Sequence, residues 1–248
     1  MPKIKLNDIS TDPPKSISKA KVKKELPGII AEISALQNLL YASSQYALLV
    51  ILQGMDASGK DGTIKKVFRE VNPQGVEVHS FKVPTDQELA HDFLWRVHLQ
   101  TPEKGIIKIF NRSHYEDIVV TRVHKIIDDT TAKKRMEAIN NFEKLLTDNH
   151  TVVLKFYLHI SHKEQLKRLN ERLKDPEKKW KYNGNDFKES VHWDEYLKVY
   201  QDAFNNCNQP EWTVVPADKN WYKEYVVASA VHVALKKLNL QYPAIKNI

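Results

Sequence analysis

Residues 48–62 read Leu-Leu-Val-Ile-Leu-Gln-Gly-Met-Asp-Ala-Ser-Gly-Lys-Asp-Gly, and this stretch decides the fold. Its first part is a short apolar run with β-branched residues, as expected for a buried parallel strand. Its second part matches the pattern G-x-x-x-x-G-K, in which backbone N–H groups at a helix N-terminus bind phosphate oxygens. Apolar residues at helical spacing then follow from Ile64 to Val71. The order strand, loop, helix therefore predicts a phosphate site at the end of the first strand.

One position of this loop departs from the usual pattern. Asp61 stands where a Ser or Thr normally ligates Mg²⁺. A carboxylate there would repel phosphate unless a divalent cation lies between them. Together with Asp56 in the same loop, Asp61 indicates a site that holds its metal by negative charge. The residues expected to contact phosphate are Gly54, Ala57, Ser58, Gly59, Lys60, Gly62 and Thr63.

The remaining pattern favours one α/β domain. The chain has 248 residues, and strand-like segments alternate with helix-like ones, which predicts a mainly parallel sheet covered by helices on both faces. Strands are expected at residues 46–52, 76–81, 105–110, 151–160 and 212–215. Helices are expected at residues 27–41, 86–100, 113–124, 131–148 and 220–238.

Charge and cysteine content bear on the domain organisation and the cellular location of the protein. The formal net charge is +7, and residues 1–25 contain seven lysines and three acids. This segment is expected to form an extended basic arm ahead of a single domain over residues 26–248. Cys207 is the single cysteine, which excludes an internal disulfide. The longest apolar run, roughly seven residues, is too short to cross a bilayer, and a cytoplasmic location is expected.

A second polar cluster follows the third predicted strand, where residues 110–117 read Phe-Asn-Arg-Ser-His-Tyr-Glu-Asp. Ligands of open α/β sheets bind beyond the carboxyl ends of the strands, so this segment should face the phosphate loop. Asp117 is expected to ligate Mg²⁺ there, and Arg112 and Arg122 carry guanidinium groups suited to phosphate oxygens. The predicted catalytic residues are Asp56, Lys60, Asp61, Asp117, Arg112 and Arg122, with Asp56, Asp61 and Asp117 as metal ligands.

A basic segment over residues 163–192 follows the fourth predicted strand and is expected to form a helical lid. Arg168 and Arg172, four positions apart, project from one face of its first helix, and Pro176 ends that helix. A cationic lid would close over phosphates and exclude water, whereas a solvated charged hairpin is the alternative. The phosphate contacts expected from the lid are Arg168, Arg172, Lys178, Lys179 and Lys181.

The segment after the second predicted strand is the candidate acceptor region. In a kinase of small phosphorylated acceptors, residues 82–96 would line the acceptor pocket. Lys82, Thr85 and Arg96 are its candidate contacts.

Residues 54–62 and 110–117, together with the basic insert, resemble the polyphosphate kinase 2 family over nearly the whole chain. Residues 91–96 and 114–117 resemble its class III, which accepts nucleoside mono- and diphosphates. The resemblance implies reversible transfer of the terminal phosphoryl group of inorganic polyphosphate to AMP or ADP. It also implies dependence on Mg²⁺, with Mn²⁺ as an alternative.

The resemblance further implies a three-layer α/β/α P-loop core of the thymidylate-kinase type, with a parallel five-stranded sheet and a helical lid. It places Glu116 near the nucleotide acceptor and implies a homodimer or homotetramer. The implied partners are inorganic polyphosphate and AMP, ADP and ATP, with guanine nucleotides as further candidates. Nucleic acid and membranes are not expected as partners.

Two other functions stay open at this point. The first is an ATP-dependent nucleoside monophosphate kinase with the same core, although such an enzyme normally keeps Ser or Thr at position 61. The second is a non-catalytic polyanion-binding protein that uses the net charge of +7. The convergence of acids on the phosphate site argues against this second function.

Overall fold

The computed structural model describes residues 3–176, 179 and 184–244, and within them a parallel five-stranded sheet carries helices on both sides. The strands are β1 Ala47–Gln53, β2 Val76–Ser80, β3 Ile107–Asn111, β4 Thr151–His159 and β5 Trp212–Pro216. Their order in the sheet is β2-β3-β1-β4-β5, and every neighbouring pair is parallel. The expected α/β class and the five parallel strands are confirmed, with bounds within two residues of those predicted.

The helices pack around this sheet and are joined to it by short loops. They are α1 Lys19–Ser43, α2 Lys60–Val67, α3 Asp86–Leu89, α4 Trp95–His98, α5 Glu116–Val123, α6 Asp129–Asp148, α7 His162–Lys174, α8 Gly184–Ser190, α9 Trp193–Asn206 and α10 Asn220–Lys237. Short 3₁₀ turns are formed by Leu6–Asp8 and Pro73–Gly75. In the part of the chain that the structure describes, no helix combines the length and apolar character that crossing a membrane requires.

The central strand positions the phosphate loop. β1 lies between β3 and β4, and all seven of its residues are buried. A strand covered on both faces is expected to be a continuous apolar run, because neither row of side chains meets water. Its register pairs Leu52 with Asn111 of β3, so the phosphate loop and the end of β3 begin side by side.

Helix α1 corrects the sequence prediction of an extended arm. It begins at Lys19, eight positions before the predicted start, and residues 19–25 are therefore helical. Ser18 caps it by accepting a hydrogen bond from the Lys21 N–H. Pro27 removes one helical hydrogen bond, but Leu26 and Ile30 bury the same face on both sides of it, and this burial outweighs the loss.

The segment before α1 packs on the body of the domain. Leu6 is only 1% exposed, and the Ile4 N–H donates to Asn205 Oδ1 at 2.7 Å.

The prediction of one helix over residues 86–100 is also corrected, because this segment is divided into α3 and α4. Between them the Asp92 carboxylate accepts from the Leu94 N–H at 2.9 Å, a local bond that competes with helical pairing.

A fully buried ion pair braces the start of α5 against the sheet. Lys155 Nζ on β4 lies 2.6 Å from Glu143 Oε2 on α6, and both side chains are 0% exposed. The ammonium also donates to the Tyr115 hydroxyl and to the Cys207 carbonyl. Glu143 Oε1 accepts from Tyr115 and lies 3.2 Å from His114 Nε2. These bonds hold the two residues that immediately precede α5.

We expect Lys155→Ala to lower the free energy of unfolding by about 3–5 kcal/mol, because it leaves the buried Glu143 carboxylate without its cation. The matched control is Lys144→Ala on α6, whose exposed pair with Asp148 contributes at most about 1 kcal/mol. Urea denaturation followed by circular dichroism measures both. The combined change of Lys155→Met and Glu143→Leu should recover most of the loss, and equal losses for the two single alanine variants would contradict this assignment.

Candidate active site

The phosphate loop spans residues 54–59, between β1 and the N-terminus of α2. Gly59 has φ +93 and Ala57 has φ 61, so the loop uses the left-handed region at a non-glycine residue as well as at glycine. Such backbone is strained for an alanine and persists only where surrounding contacts hold it. The loop delivers the chain into α2 with Lys60 as its first residue, and the N–H groups of a first helical turn have no partner within the helix. This is the arrangement that binds anions.

A cavity of about 800 Å³ opens over this loop. The loop, the ends of β2 and β3, helix α7 and the start of α10 all contribute to its lining. The basic residues of the lining are Lys60, Lys82, Arg112, Lys167, Arg168, Arg172 and Lys223. The acidic residues of the lining are Asp56, Asp61, Glu164, Glu171, Asp186 and Glu224. A cavity with both signs of charge suits an anionic substrate that binds together with a cation.

Lys60 lies at the base of this cavity and is buried. Its Nζ donates to the Gly54 carbonyl at 2.7 Å and lies 3.4 Å from the Met55 carbonyl, so the side chain folds back over its own loop. Burial lowers the pKa of Lys60, and the nearby Arg112 guanidinium lowers it further. An anion entering the cavity would favour the charged form and offer a better acceptor than a carbonyl oxygen.

Arg112 ties the phosphate loop to the end of β3. It follows that strand with φ 62, and its guanidinium lies 2.7 Å from Asp56 Oδ1 and 3.6 Å from Glu116 Oε2. The Glu116 charge raises the pKa of Arg112, while burial raises the pKa of the Glu116 carboxyl group itself. The structure therefore brings three sequence-predicted residues, Arg112, Asp56 and Glu116, into one charged cluster.

Asp61 lies in the first turn of α2. Its Oδ1 accepts a hydrogen bond from Asn111 Nδ2 at 2.9 Å, which links the first turn of α2 to the end of β3. Asp56 and Asp61 both line the large cavity. Mg²⁺ in phosphate sites commonly takes one or two protein carboxylates and completes its octahedron with phosphate oxygens and water. The donor set of this loop fits such an ion.

Asp117 is not brought to the cavity with these two acids. Its Oδ2 lies 3.1 Å from an Arg96 nitrogen, and neither of the two cavities at the site includes it in its lining. Burial raises the pKa of Asp117, and the Arg96 charge opposes that rise. Among residues 3–176, 179 and 184–244, no group of three or more His, Cys, Asp or Glu side chains is placed to hold a metal ion. The expected metal cluster of Asp56, Asp61 and Asp117 is thus not assembled.

Arg122 also lies elsewhere. It contacts Asp129 Oδ1 at 2.8 Å and Asp202 Oδ2 at 2.6 Å, and it joins α5 to α6 and α9 instead of lining either cavity. Its acidic partners raise the pKa of Arg122 despite partial burial, which lowers it. Asp202 is 80 positions away in the sequence, so the pairing could not be inferred from local spacing.

Arg168 lines the cavity, but protein groups already accept from its guanidinium. Its Nε donates to Glu164, one terminal nitrogen donates to the Ala57 and Ser58 carbonyls, and the other donates to the Ala217 and Asp218 carbonyls. The five distances lie between 2.9 and 3.2 Å. Arg168, which was expected to contact phosphate, is therefore bonded to two carbonyls of the phosphate loop itself.

The expected lid residues divide into two groups. Arg172 on α7 lines the cavity and pairs with Asp186 on α8, a helix that the sequence patterns did not predict. Lys179 is exposed and does not line the cavity. The other two expected lid contacts, Lys178 and Lys181, lie outside the described residues.

The acceptor residues expected in residues 82–96 likewise divide into one that lines the cavity and two that make structural contacts. Lys82 lines the large cavity, whereas Thr85 caps α3 in a reciprocal pair of bonds with Glu88. Arg96 is 6% exposed, and it donates to the Lys82 carbonyl at 2.9 Å while it contacts Asp117. Arg96 thus braces the acceptor segment from inside the protein.

A second cavity of about 240 Å³ adjoins the first one. The two share Asp56, Val83, Arg112 and Asp186 in their linings. Aromatic side chains from α9, namely Trp193, Tyr196 and Tyr200, and the carboxylate of Glu116 line the smaller cavity. Of the sequence-predicted acceptor residues, Glu116 alone lies here.

Sequence reasoning missed one buried cation of the site. Lys223 lies in the first turn of α10, lines the large cavity and donates to the Ser58 carbonyl at 3.0 Å. The rule that ligands bind beyond the carboxyl ends of parallel strands could have found it, because α10 begins soon after β5 ends.

Comparison with known proteins identifies relatives of the whole domain. The profile of the polyphosphate kinase 2 family matches residues 16–243. The AMP/ADP-polyphosphate phosphotransferase of Meiothermus ruber is 50% identical over 213 residues, which cover 85% of this chain and 80% of that protein. The ADP-polyphosphate phosphotransferase of Rhodopseudomonas palustris is 40% identical over 228 residues, covering 86% of this chain and 79% of that protein.

A solved structure supports the same relationship. The crystal structure of polyphosphate kinase 2 from Arthrobacter aurescens TC1 superimposes with a TM-score of 0.93 at 38% sequence identity. The superposition covers 99% of this chain and 89% of that chain. The similarity therefore includes the phosphate loop, helices α7 and α8 and the strand ends that form the site.

Gly59 provides a test of the loop geometry. A Cβ at this position would lie 2.0 Å from Lys223 Nζ, and φ +93 is unfavourable for any side chain. We expect Gly59→Ala to weaken binding of inorganic triphosphate by about tenfold or more, since such backbone strain is worth roughly 1–3 kcal/mol. Isothermal titration calorimetry measures the affinity.

The control for this test is Gly28→Ala on α1, where a Cβ would meet no atom within 4 Å. Its affinity for triphosphate should equal that of the unsubstituted protein. Equal affinities for the Gly59 and Gly28 variants would show that the loop does not bind the anion in this conformation.

Proposed function

This chain belongs to the polyphosphate kinase 2 family, and on that premise we propose that it transfers the terminal phosphoryl group of inorganic polyphosphate to AMP and ADP. The observation that carries the proposal is the lining of the large cavity. Lys60, Arg112 and Arg172 lie around a phosphate loop that has Asp61 in place of a hydroxyl residue. Polyphosphate is a repeating anion without a base, so its recognition depends on cations and backbone N–H groups.

Phosphoryl transfer requires mainly positioning and stabilisation of charge, and the residues of this cavity supply both. Lys60 would exchange its loop carbonyls for an oxygen of the transferring phosphoryl group. Arg112, held by Asp56 and Glu116, would contact the same group from the end of β3. Arg172 would close the donor side from α7.

The divalent cation of this reaction would be held by Asp56 and Asp61, which both line the cavity. When bound, Mg²⁺ would supply positive charge that stabilises the phosphate oxygens, and Mn²⁺ has the same preference for oxygen ligands. Asp117 contacts Arg96, and Arg96 contacts the Lys82 carbonyl. We therefore assign to Asp117 a positioning role for the acceptor segment instead of metal ligation.

The acceptor would lie between Lys82 and Glu116, where the two cavities join at Val83 and Arg112. Thr85 and Arg96 would hold this segment from behind through the α3 cap and the Lys82 carbonyl. Use of both mono- and diphosphates, use of guanine nucleotides, a homodimer or homotetramer and a cytoplasmic location complete the proposal. The use of mono- and diphosphates is what the class III motifs imply, and the guanine nucleotides and the oligomer are what the resemblance to the family implies. The location is the expectation from the single cysteine and the short apolar runs.

The activity itself is tested by supplying AMP or ADP with Mg²⁺, with and without inorganic polyphosphate, and separating the nucleotide products. We expect ADP and ATP to form only when polyphosphate is present. The control replaces polyphosphate with ATP as donor to AMP. Faster phosphorylation of AMP from ATP than from polyphosphate would instead identify an ATP-dependent monophosphate kinase.

The metal assignment predicts different Mg²⁺ titrations for two isosteric variants. Asp61→Asn should raise the Mg²⁺ concentration for half-maximal activity by at least about tenfold, because the negative charge of a metal ligand is removed. Asp117→Asn should lower turnover with AMP while this concentration stays unchanged, since only the Arg96 contact weakens.

The matched control is Asp148→Asn at the end of α6, which pairs with Lys144 on the exposed surface. It should match the unsubstituted enzyme in turnover and Mg²⁺ requirement. If Asp117→Asn raised the Mg²⁺ requirement as much as Asp61→Asn, Asp117 would be a metal ligand after all.

A further inference from the structure

Lys223 is a buried cation in contact with the phosphate loop. The residue is 1% exposed, and its ammonium donates to the Ser58 carbonyl at 3.0 Å and to Asn220 Oδ1 at 2.8 Å. The Nζ occupies the space that a Cβ of Gly59 would need, at a distance of 2.0 Å. The absence of a side chain at Gly59 therefore makes room for this ammonium.

Two cations act on the same peptide group of the loop. The Ser58 carbonyl accepts from Lys223 at 3.0 Å and from Arg168 at 3.2 Å. Because a trans peptide is planar, the N–H of Gly59 points away from the cations that hold the Ser58 carbonyl. The bonds to the Ser58 carbonyl therefore also fix the direction of the Gly59 N–H. Backbone N–H groups are what such a loop uses to bind phosphate oxygens.

The position of Lys223 is unfavourable for the protein alone. Both of its hydrogen-bond acceptors are neutral oxygens, and burial of a charge against neutral groups costs free energy. The charged groups around it are Arg168 and Glu164 of α7, Lys60 at the start of α2, and Glu224 of α10. Burial lowers the pKa of Lys223 from its usual 10.5 to about 7, and the Arg168 charge adds to the shift.

We propose that Lys223 is a positioning residue for the phosphate loop, and that its positive charge and a polyanion in the loop favour each other. The inference rests on the proposed function only in taking polyphosphate as the natural polyanion. A ligand with several negative charges, bound across the loop, offsets the repulsion among Lys60, Arg168 and Lys223. In return, the charged ammonium holds the Ser58 carbonyl more strongly than a neutral amine does.

The linkage has a definite sign. Because a bound polyanion favours the charged form, binding raises the pKa of Lys223 above about 7 and takes up a proton from solution at slightly alkaline pH. Well below neutral pH the ammonium is charged before and after binding, so no proton is taken up by this group. Affinity for the polyanion should accordingly fall as the pH rises through this range.

The same shift predicts the stability of variants. The pKa of Lys223 is lower in the folded than in the unfolded chain, so its contribution to stability falls as the pH falls from 10.5 to about 7. At neutral pH the charged residue therefore destabilises the fold. Lys223→Met, which keeps the length of the side chain without the charge, should be at least as stable as the unsubstituted protein while it binds the polyanion less well.

The experiment compares Lys223→Met with Lys219→Met, an exposed lysine at the N-cap position of the same helix whose side chain makes no capping bond. Binding of inorganic triphosphate is titrated calorimetrically at about pH 8 and about pH 6 in buffers of different ionisation enthalpy, which reports proton uptake. At the higher pH we expect more proton uptake in the unsubstituted protein and in Lys219→Met than in Lys223→Met, where Lys60 alone of the two buried lysines remains. We also expect the KM for polyphosphate to rise about tenfold in Lys223→Met, with the KM for AMP unchanged.

Several outcomes would overturn the inference. Equal proton uptake in Lys223→Met and Lys219→Met would exclude coupling at Lys223. A Lys223→Met variant with a lower melting temperature, and with equal losses for both substrates, would show a structural role alone. Failure of the unsubstituted protein to use polyphosphate would refute the proposed function, and the triphosphate titrations would still decide the role of Lys223.

Discussion

The parallel pairing of β1 with β3 and β4 is the constraint on which the site depends. It places the carboxyl ends of neighbouring strands at one edge of the sheet, and the register aligns Leu52 with Asn111 and Gln53 with Tyr157. The phosphate loop therefore emerges beside Asn111 and Arg112, while the chain leaving β4 enters α7 above it. Burial of β1 on both faces makes this edge rigid, so short side chains such as Asp61 and Asn111 meet reliably.

The sequence predicted those features whose residues lie close together along the chain. The loop, its Asp61 and the helix after it lie within one short segment, and local patterns were sufficient to predict them. The partners of Asp117 and Arg122, and the carbonyl acceptors of Arg168, lie in other elements, and spacing carries no information about such contacts. Arg122 and Arg168 have the guanidinium groups that phosphate sites use, but protein oxygens already accept from them. The residue types therefore indicated a phosphate-binding site, but tertiary packing determines which of the arginines can contact phosphate.

The cations of the cavity are already bonded before a substrate arrives. Lys60 is held by the Gly54 carbonyl, Arg112 by Asp56 and Arg172 by Asp186. Each bond orients the cationic side chain, but polyphosphate must displace the acceptor to bind that cation. How readily it does so depends on the strength of the acceptor. A carbonyl is a weaker acceptor than a phosphate oxygen, so Lys60 exchanges readily. Arg112 and Arg172 are paired with carboxylates, so phosphate must compete with a charged acceptor for each of them.

Burial shifts the ionisable groups of this site toward their neutral forms. It lowers the pKa of Lys60 and Lys223 and raises that of Glu116. Such shifts mean that the folded protein alone holds these charges unfavourably. A polyanion provides the opposite charge for Lys60 and Lys223, so binding recovers free energy that folding did not. Binding of a highly charged ligand therefore offsets the free energy lost by burying these charges, which increases its affinity. A neutral or singly charged competitor offsets far less of this free energy. The charge of the substrate, more than its shape, should therefore set the selectivity of the phosphate loop.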